Sequence, residues 1–486
     1  MVGREAVVRY GARLSKHLFS TSTSPWSKAP SASFPFASAF GVGVQEFLRA
    51  IGKGVGAHAG SSRNLFLFGG GSLKGLGTLY QHSTFASRAL STATVARHVT
   101  ALEAVPLVVA GTEAQRKVSL WLFGCSGWIF TMVVLGGVTR LTRSGLSMTE
   151  WKFSGGLPPM SREEWDVEFA KYQKSPEYKR VNKGMDLEQF KLIYWMEYAH
   201  RMWGRALGLA FAGPFAYFIA RGYITRSLAL RLSALMAMGG AQGLVGWWMV
   251  KSGLEEPESE YAQPRVSPYR LAAHLSSAFV IYSGLFWTAL SVAMPEPPPA
   301  VNMAMLEATR KVRKLALPVA ALVSVTAVSG AFVAGNDAGH AYNSFPKMGD
   351  TWIPEGILEM KPLIKNFFEN TATVQFDHRI LAITTLSSIG GMWLATRKLP
   401  LHPAVKSILD STLSMAGLQV TLGISALLLY VPVSLGSAHQ AGALTLFTIV
   451  LTLLHTLRRP SPAVFRALTS KANVVGANVV GGSKSV

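Results

Sequence analysis

Charge, acid and cysteine are what this chain has least of. Only 15% of its 486 residues are charged, where a soluble protein carries about 25%, so a conventional soluble multidomain enzyme is a poor candidate. Cysteine occurs once, at Cys125. One thiol closes no internal disulfide and builds no cysteine-rich metal site; inside an apolar block it reads as a small core residue. Acidic residues number 26 against 47 basic ones, a net charge of +21, yet the excess does not describe a nucleic-acid surface. Eleven of the basic residues fall in the first hundred positions, against Glu5 and Glu46 alone. Most of the others flank apolar blocks, and no basic stripe interleaved with aromatics appears. No nucleic-acid partner is expected.

The acid-poor opening reads as an address. Val7, Tyr10, Leu14 and Leu18 fall at helical spacing, with Arg9, Arg13 and Lys16 on another side. An amphipathic, Arg-rich start in a Ser- and Ala-rich stretch is the composition of an organelle transit peptide. Residues 1–95 are therefore expected to be a transit or disordered segment. Mitochondrion and chloroplast share this signature.

What the chain has instead of charge is apolar sequence, 49% of residues, with a mean hydropathy of +0.27. It is gathered into blocks of about 20 residues, enough for a helix to cross ~30 Å of hydrocarbon. Eight blocks stand out, near 118–138, 193–219, 229–250, 270–293, 315–335, 376–395, 407–431 and 439–457. The expected fold is an all-α polytopic membrane protein with eight transmembrane helices in two pseudo-symmetric four-helix bundles, 115–294 and 315–458. Between them lies a linker, 295–314, containing Pro295-Glu-Pro-Pro-Pro299 and then Arg310, Lys311, Arg313 and Lys314. A flexible tail is expected at 459–486.

Connections after even-numbered blocks carry Arg221, Arg226, Arg397, Lys398, Arg458 and Arg459, whereas Glu255, Glu256, Glu258 and Glu260 lie after an odd one. By the positive-inside rule both termini share the basic side.

Beyond residue 100 there are seven histidines, and four stand near the starts of even-numbered blocks: His200, His274, His378 and His439. Alternating topology puts these four at similar depth. Ionisable groups inside a membrane are costly and mark function by default. Two imidazoles facing each other across a four-helix bundle supply both axial ligands of one haem; two halves then make two haem sites. His340, His402 and His455 fall outside this register and are expected not to ligate. The halves also echo each other. His200-Arg201 recurs as His378-Arg379, Gln242-x-x-x-Gly246 as Gln419-x-x-x-Gly423, and Ala273-His274 as Ala438-His439, in the same order.

Five stretches carry a more specific likeness. They are Gly136-Gly-Val-Thr-Arg-Leu-Thr-Arg-Ser-Gly-Leu-Ser-Met-Thr-Glu-Trp151, Glu197-Tyr-Ala-His-Arg-Met-Trp-Gly-Arg205, Gln242-Gly-Leu-Val-Gly-Trp-Trp-Met-Val-Lys-Ser-Gly253, Asn336-Asp-Ala-Gly-His-Ala-Tyr-Asn-Ser-Phe-Pro-Lys-Met348 and Phe376-Asp-His-Arg379. Over about 115–460 the chain resembles haem A synthase of the mitochondrial and proteobacterial branch, the enzyme that oxidises a methyl group of haem O to the formyl group of haem A. The resemblance implies the mitochondrial inner membrane, both termini in the matrix, haem b on His378 and His439, and substrate haem O between His200 and His274. It implies that Glu197, one turn before His200, matches the family's catalytic Glu-x-x-His motif. It also implies a farnesyltransferase as haem O donor and a ferredoxin-type electron donor, and it leaves room for a homo-oligomer. The cysteine pair that some members carry in the first outer loop is missing, so a thiol relay is unsupported. Arg201, Arg205 and Arg379 are expected to pair with haem propionates near the interface.

Turning methyl into formyl removes electrons and needs an oxygen source. With both histidines on iron no coordination position is open, so either a histidine leaves or water attacks an oxidised carbon; the residues alone leave both open. A two-haem b-type cytochrome that only transfers electrons would use the same four histidines without needing Glu197. A transporter would need none of them.

Overall fold

The computed structural model describes residues 107–459 apart from 153, 154, 258, 260–262 and 301; the transit segment 1–95 and nearly all of the tail 459–486 lie outside the described residues. Eight long helices run in chain order: α1 Gly111–Leu141, α2 Leu187–Ala220, α3 Arg226–Leu254, α4 Pro268–Ala293, α5 Met303–Gly335, α6 Thr371–Thr396, α7 Pro403–Leu428 and α8 Val433–Thr456. Among the described residues there is no β-strand beyond two isolated bridges.

Their starts follow from local chemistry. Asp186 caps α2 in a reciprocal box with Gln189, Thr225 caps α3, Asn302 caps α5 and Asn370 caps α6, each side chain accepting from a first-turn backbone N–H. Such caps satisfy donors that a helix end leaves orphaned. The Asn302 cap begins α5 well before its apolar block, so Arg310 to Lys314 are helical and the described non-helical residues of the link are 294–300 and 302.

Six helices, α1, α3, α4, α5, α7 and α8, are long and apolar enough to cross a membrane by length and composition. The two that fall short, α2 and α6, are of comparable length and carry Glu197-x-x-His-Arg201 with Arg205, and Asp377-His-Arg379. The shortfall in apolar character falls on the helices that bear the polar pattern.

Among the long helices, α1 packs on α2 and α4, and α3 packs on the same two; α5 packs on α6 and α8, and α7 likewise. Contacts of α1 and α4 with α8, and of α4 with α5, join these two sets. One apolar core runs through both, with Leu122, Leu232, Ala289, Val312, Ile389 and Leu444 essentially inaccessible. Outside it, the first connection folds into a helix, Arg162–Gln173, whose Trp165 and Tyr172 pack with Phe190 and Tyr194 of α2. That aromatic cluster holds the connection against the start of α2, before Glu197 and His200 in the helix.

Candidate functional site

Each of the four histidines rests on a glycine of the long helix before its own. A β-carbon on Gly136 of α1 would stand 3.1 Å from Cε1 of His200 on α2, and one on Gly246 of α3 would stand 3.0 Å from Cε1 of His274 on α4. The same holds for Gly330 of α5 and His378 of α6, at 3.3 Å, and for Gly423 of α7 and His439 of α8, at 2.8 Å. Glycine is used where another group must approach the backbone closely. His200 and His274 thus stand on α2 and α4 of one packed set of helices, and His378 and His439 on α6 and α8 of the other.

The second ring nitrogens are held from the helices that supply these seats. The Gln242 amide nitrogen lies 3.2 Å from Nδ1 of His274 and donates to the His274 carbonyl at 2.8 Å. Gln419 stands 3.1 Å from Nδ1 of His439 and donates to its carbonyl at 2.9 Å. Ser329 Oγ lies 2.7 Å from Nδ1 of His378. The fourth, Nδ1 of His200, is buried and has no hydrogen-bond partner.

Among the described residues, no three His, Cys, Asp or Glu side chains converge to chelate a metal ion. Two imidazoles in each set of helices are few donors for a bare ion but the number an iron needs when a macrocycle fills its other four positions. The two imidazoles of each set, the glycine seats that admit them and the hydroxyl behind Nδ1 of His378 fit haem. The amide N–H groups of Gln242 and Gln419 donate to Nδ1 of His274 and His439, and must turn away before Nε2 of those rings is bare for iron. His378 and His439 could hold one group, His200 and His274 another.

Glu197 is 2% exposed. Its Oε2 accepts from Ser147 Oγ at 2.7 Å and from the Met148 backbone N–H at 2.8 Å, while Oε1 accepts from Arg201. The carboxylate thus ties the segment after α1 to α2. Arg201 extends the tie by donating to the carbonyls of Met148 and Glu150, and Arg205 by donating to that of Lys152. The other half repeats the arrangement with an amide. Gln375 Nε2 donates to the Ala338 carbonyl, and Arg379 donates to Gln375 Oε1 and to the carbonyls of Tyr342, Pro346 and Lys347. Nε of Arg379 is buried and has no partner.

The remaining histidines do other work. His340 is exposed in a short 3-10 turn, and His402 caps α7 through its Nδ1. His455 is fully buried at the far end of α8, between Ser291, Arg458 and the edge of Trp287. Sequence reasoning missed the glycine seats and the Nδ1 partners. Their signal was the repeated Gln-x-x-x-Gly, which puts both residues on one helical face.

Fold and donor set together define a class: helical multi-pass membrane proteins, internally repeated, with an imidazole pair in each half. Comparison with known proteins narrows it. Residues 119–451 match the COX15-CtaA family, described as cytochrome oxidase assembly protein, and the chain belongs to that family. Heme A synthase COX15 of Arabidopsis thaliana is 69% identical over 366 residues, covering 75% of this chain and 80% of that protein. The Homo sapiens protein of the same name is 49% identical, covering 71% of this chain and 84% of its own. Heme A synthase of Nitrosospira multiformis is 46% identical over 71% of this chain and 94% of its own length.

Proposed function

We propose that this chain is a haem A synthase of the mitochondrial inner membrane, converting haem O to haem A for cytochrome c oxidase. Support comes from family membership together with one structural observation: four imidazoles, each seated on a glycine of the preceding long helix, two in each packed set of helices. In this reading all eight long helices span the bilayer as two four-helix bundles, with both termini in the matrix and the sites near the opposite face. His378 and His439 hold a resident haem b that relays electrons, and His200 and His274 hold substrate haem O. A farnesyltransferase supplies haem O, and a ferredoxin-type protein supplies reducing equivalents.

Bound haem supplies the redox chemistry. The chain's own residues orient and enclose. The imidazoles would hold each group, and Arg201, Arg205 and Arg379 tie the connecting segments to α2 and α6 beside them. The unpartnered Nε of Arg379 is left to meet a propionate, so Arg379→Leu should lower haem retention at high salt. Glu197 is the candidate base at the reacting methyl.

A pyridine haemochrome spectrum of the purified protein tests the whole. Mixed b-type and a-type haem is expected. Haem b alone, with normal haem A output from cells lacking this chain, would indicate the electron-carrying cytochrome, and no haem at all would end both readings.

A further inference from the structure

Nδ1 of His378 meets a hydroxyl, Nδ1 of His274 and of His439 each meet an amide N–H, and Nδ1 of His200 meets no polar group. Aligned on Gly136 and Gly330, α1 and α5 match without a gap: both helices end at the same step, at Leu141 and Gly335. At the same step beyond them, Arg143 and Asp337 both adopt left-handed backbone, each with φ of 52°. In this register the counterpart of Ser329 is Leu135.

Ser329 Oγ donates to the Thr326 carbonyl at 2.8 Å and lies 2.7 Å from Nδ1 of His378. A hydroxyl has one proton. With that proton given to Thr326, Oγ can only accept from the ring, so Nδ1 carries the hydrogen and Nε2 is left bare for a metal. Leu135 offers His200 nothing equivalent, and its Nδ1 is buried without a partner. Hydrogen bonds of this kind fix the tautomer and orientation of a ligating imidazole, and losing one typically costs about 10- to 100-fold in affinity.

We infer that positions 135 and 329 set the lifetimes of the two haem sites, and that His200 is the imidazole released when haem enters or leaves the N-terminal half. Ser329 anchors His378 on a group that stays, while Leu135 leaves His200 free to turn away. Both are positioning residues, acting only through the ring they face. The inference rests on haem ligation by the four histidines as proposed above. It accounts for how a nearly symmetric molecule keeps one haem as a relay and lets another go as product.

The full-length protein, purified in detergent and loaded with haem b in both halves, is mixed with excess apomyoglobin, and haem capture is followed by absorbance. Two release phases are expected, the fast one absent in His200→Ala and the slow one absent in His378→Ala. Leu135→Ser should slow the fast phase by about tenfold, and Ser329→Ala should speed the slow phase by about tenfold. Ser329→Thr should restore the parent rate. The ferric low-spin signal of the C-terminal haem should shift in Ser329→Ala and not in Ser329→Thr. Two intact phases indifferent to positions 135 and 329 overturn this inference alone. Haem release unaltered in both His200→Ala and His378→Ala overturns the ligation itself and the inference with it.

Discussion

Glu197 has two employments at once, and substitutions separate them. Its buried carboxylate accepts from Ser147, Met148 and Arg201, and removing one partner of a buried ion pair costs about 3–5 kcal/mol. Glu197→Ala should therefore lower thermal stability and loosen the loop as well as stop synthesis. Glu197→Gln keeps an oxygen for Ser147 and Met148 but turns its NH2 toward Arg201 and so also loses the ion pair. Its unfolding midpoint should fall too, by less than in Glu197→Ala, while haem A, measured by chromatography of extracted haems, should fall by about a hundredfold with haem O accumulating. Full synthesis by Glu197→Gln would leave the residue a staple only. Glu177, in a short helix of the first connection, behaves differently. Burial raises its carboxyl from 4.5 to about 7, opposed by Arg143 and Arg140 and reinforced by Asp337. A raised acid stabilises the fold while protonated. That contribution is complete below about pH 4.5 and lost as pH rises through about 7. Glu177→Gln should flatten this decline in a pH series of unfolding midpoints, gaining up to about 3 kcal/mol at pH 8.

At the scale of an element, the glycine seats make each odd-numbered helix a wall for the ring on the next. The fit differs from seat to seat: a β-carbon on Gly423 comes within 2.8 Å of His439, whereas one on Gly330 stays 3.3 Å from His378. Gly423→Ala must push the ring or the helix aside. It should reduce haem retained by the purified protein about tenfold, with Gly330→Ala milder. Gly417 lies on the same helix with nothing within 4 Å of its would-be β-carbon, so Gly417→Ala should retain haem as the parent does. Equal loss from positions 417 and 423 would point to general damage to α7 instead.

At the scale of the whole molecule, the halves meet along polar as well as apolar contacts. Gln440 of α8 donates to the Val133 carbonyl of α1 at 2.9 Å and fills the space that a β-carbon on Gly137 would need. Arg140 reaches Asp337 at 2.7 Å, and Tyr282 meets Thr448 at 2.7 Å. The first of these joints adjoins the rings: Gly137 follows the His200 seat Gly136, and Gln440 follows His439. Gly137→Val should expel Gln440 and cost about 1–3 kcal/mol by overpacking, read as a lower unfolding midpoint, with haem per molecule in the haemochrome assay falling as well. Unchanged haem at a lowered midpoint would show that the seam and the sites are held separately.

Much of this was legible along the chain, because a bilayer imposes length and polarity on each helix separately. The eight apolar blocks, the four histidines and their order in two repeats are properties of local sequence, and all eight blocks lie within or close to the long helices. The limits of those helices were less legible. Asn302 extends α5 across the charged run Arg310 to Lys314, and a cap is a single residue that apolar periodicity does not report. The partners were least legible of all. That Ser147 meets Glu197, that Gly423 seats His439 and that Leu135 withholds from His200 what Ser329 provides to His378 depends on how neighbouring helices rotate about their axes. Composition and spacing determined where the long apolar helices fall and which imidazoles are available; only packing between helices decided which ring nitrogen meets a polar partner and which is left without one.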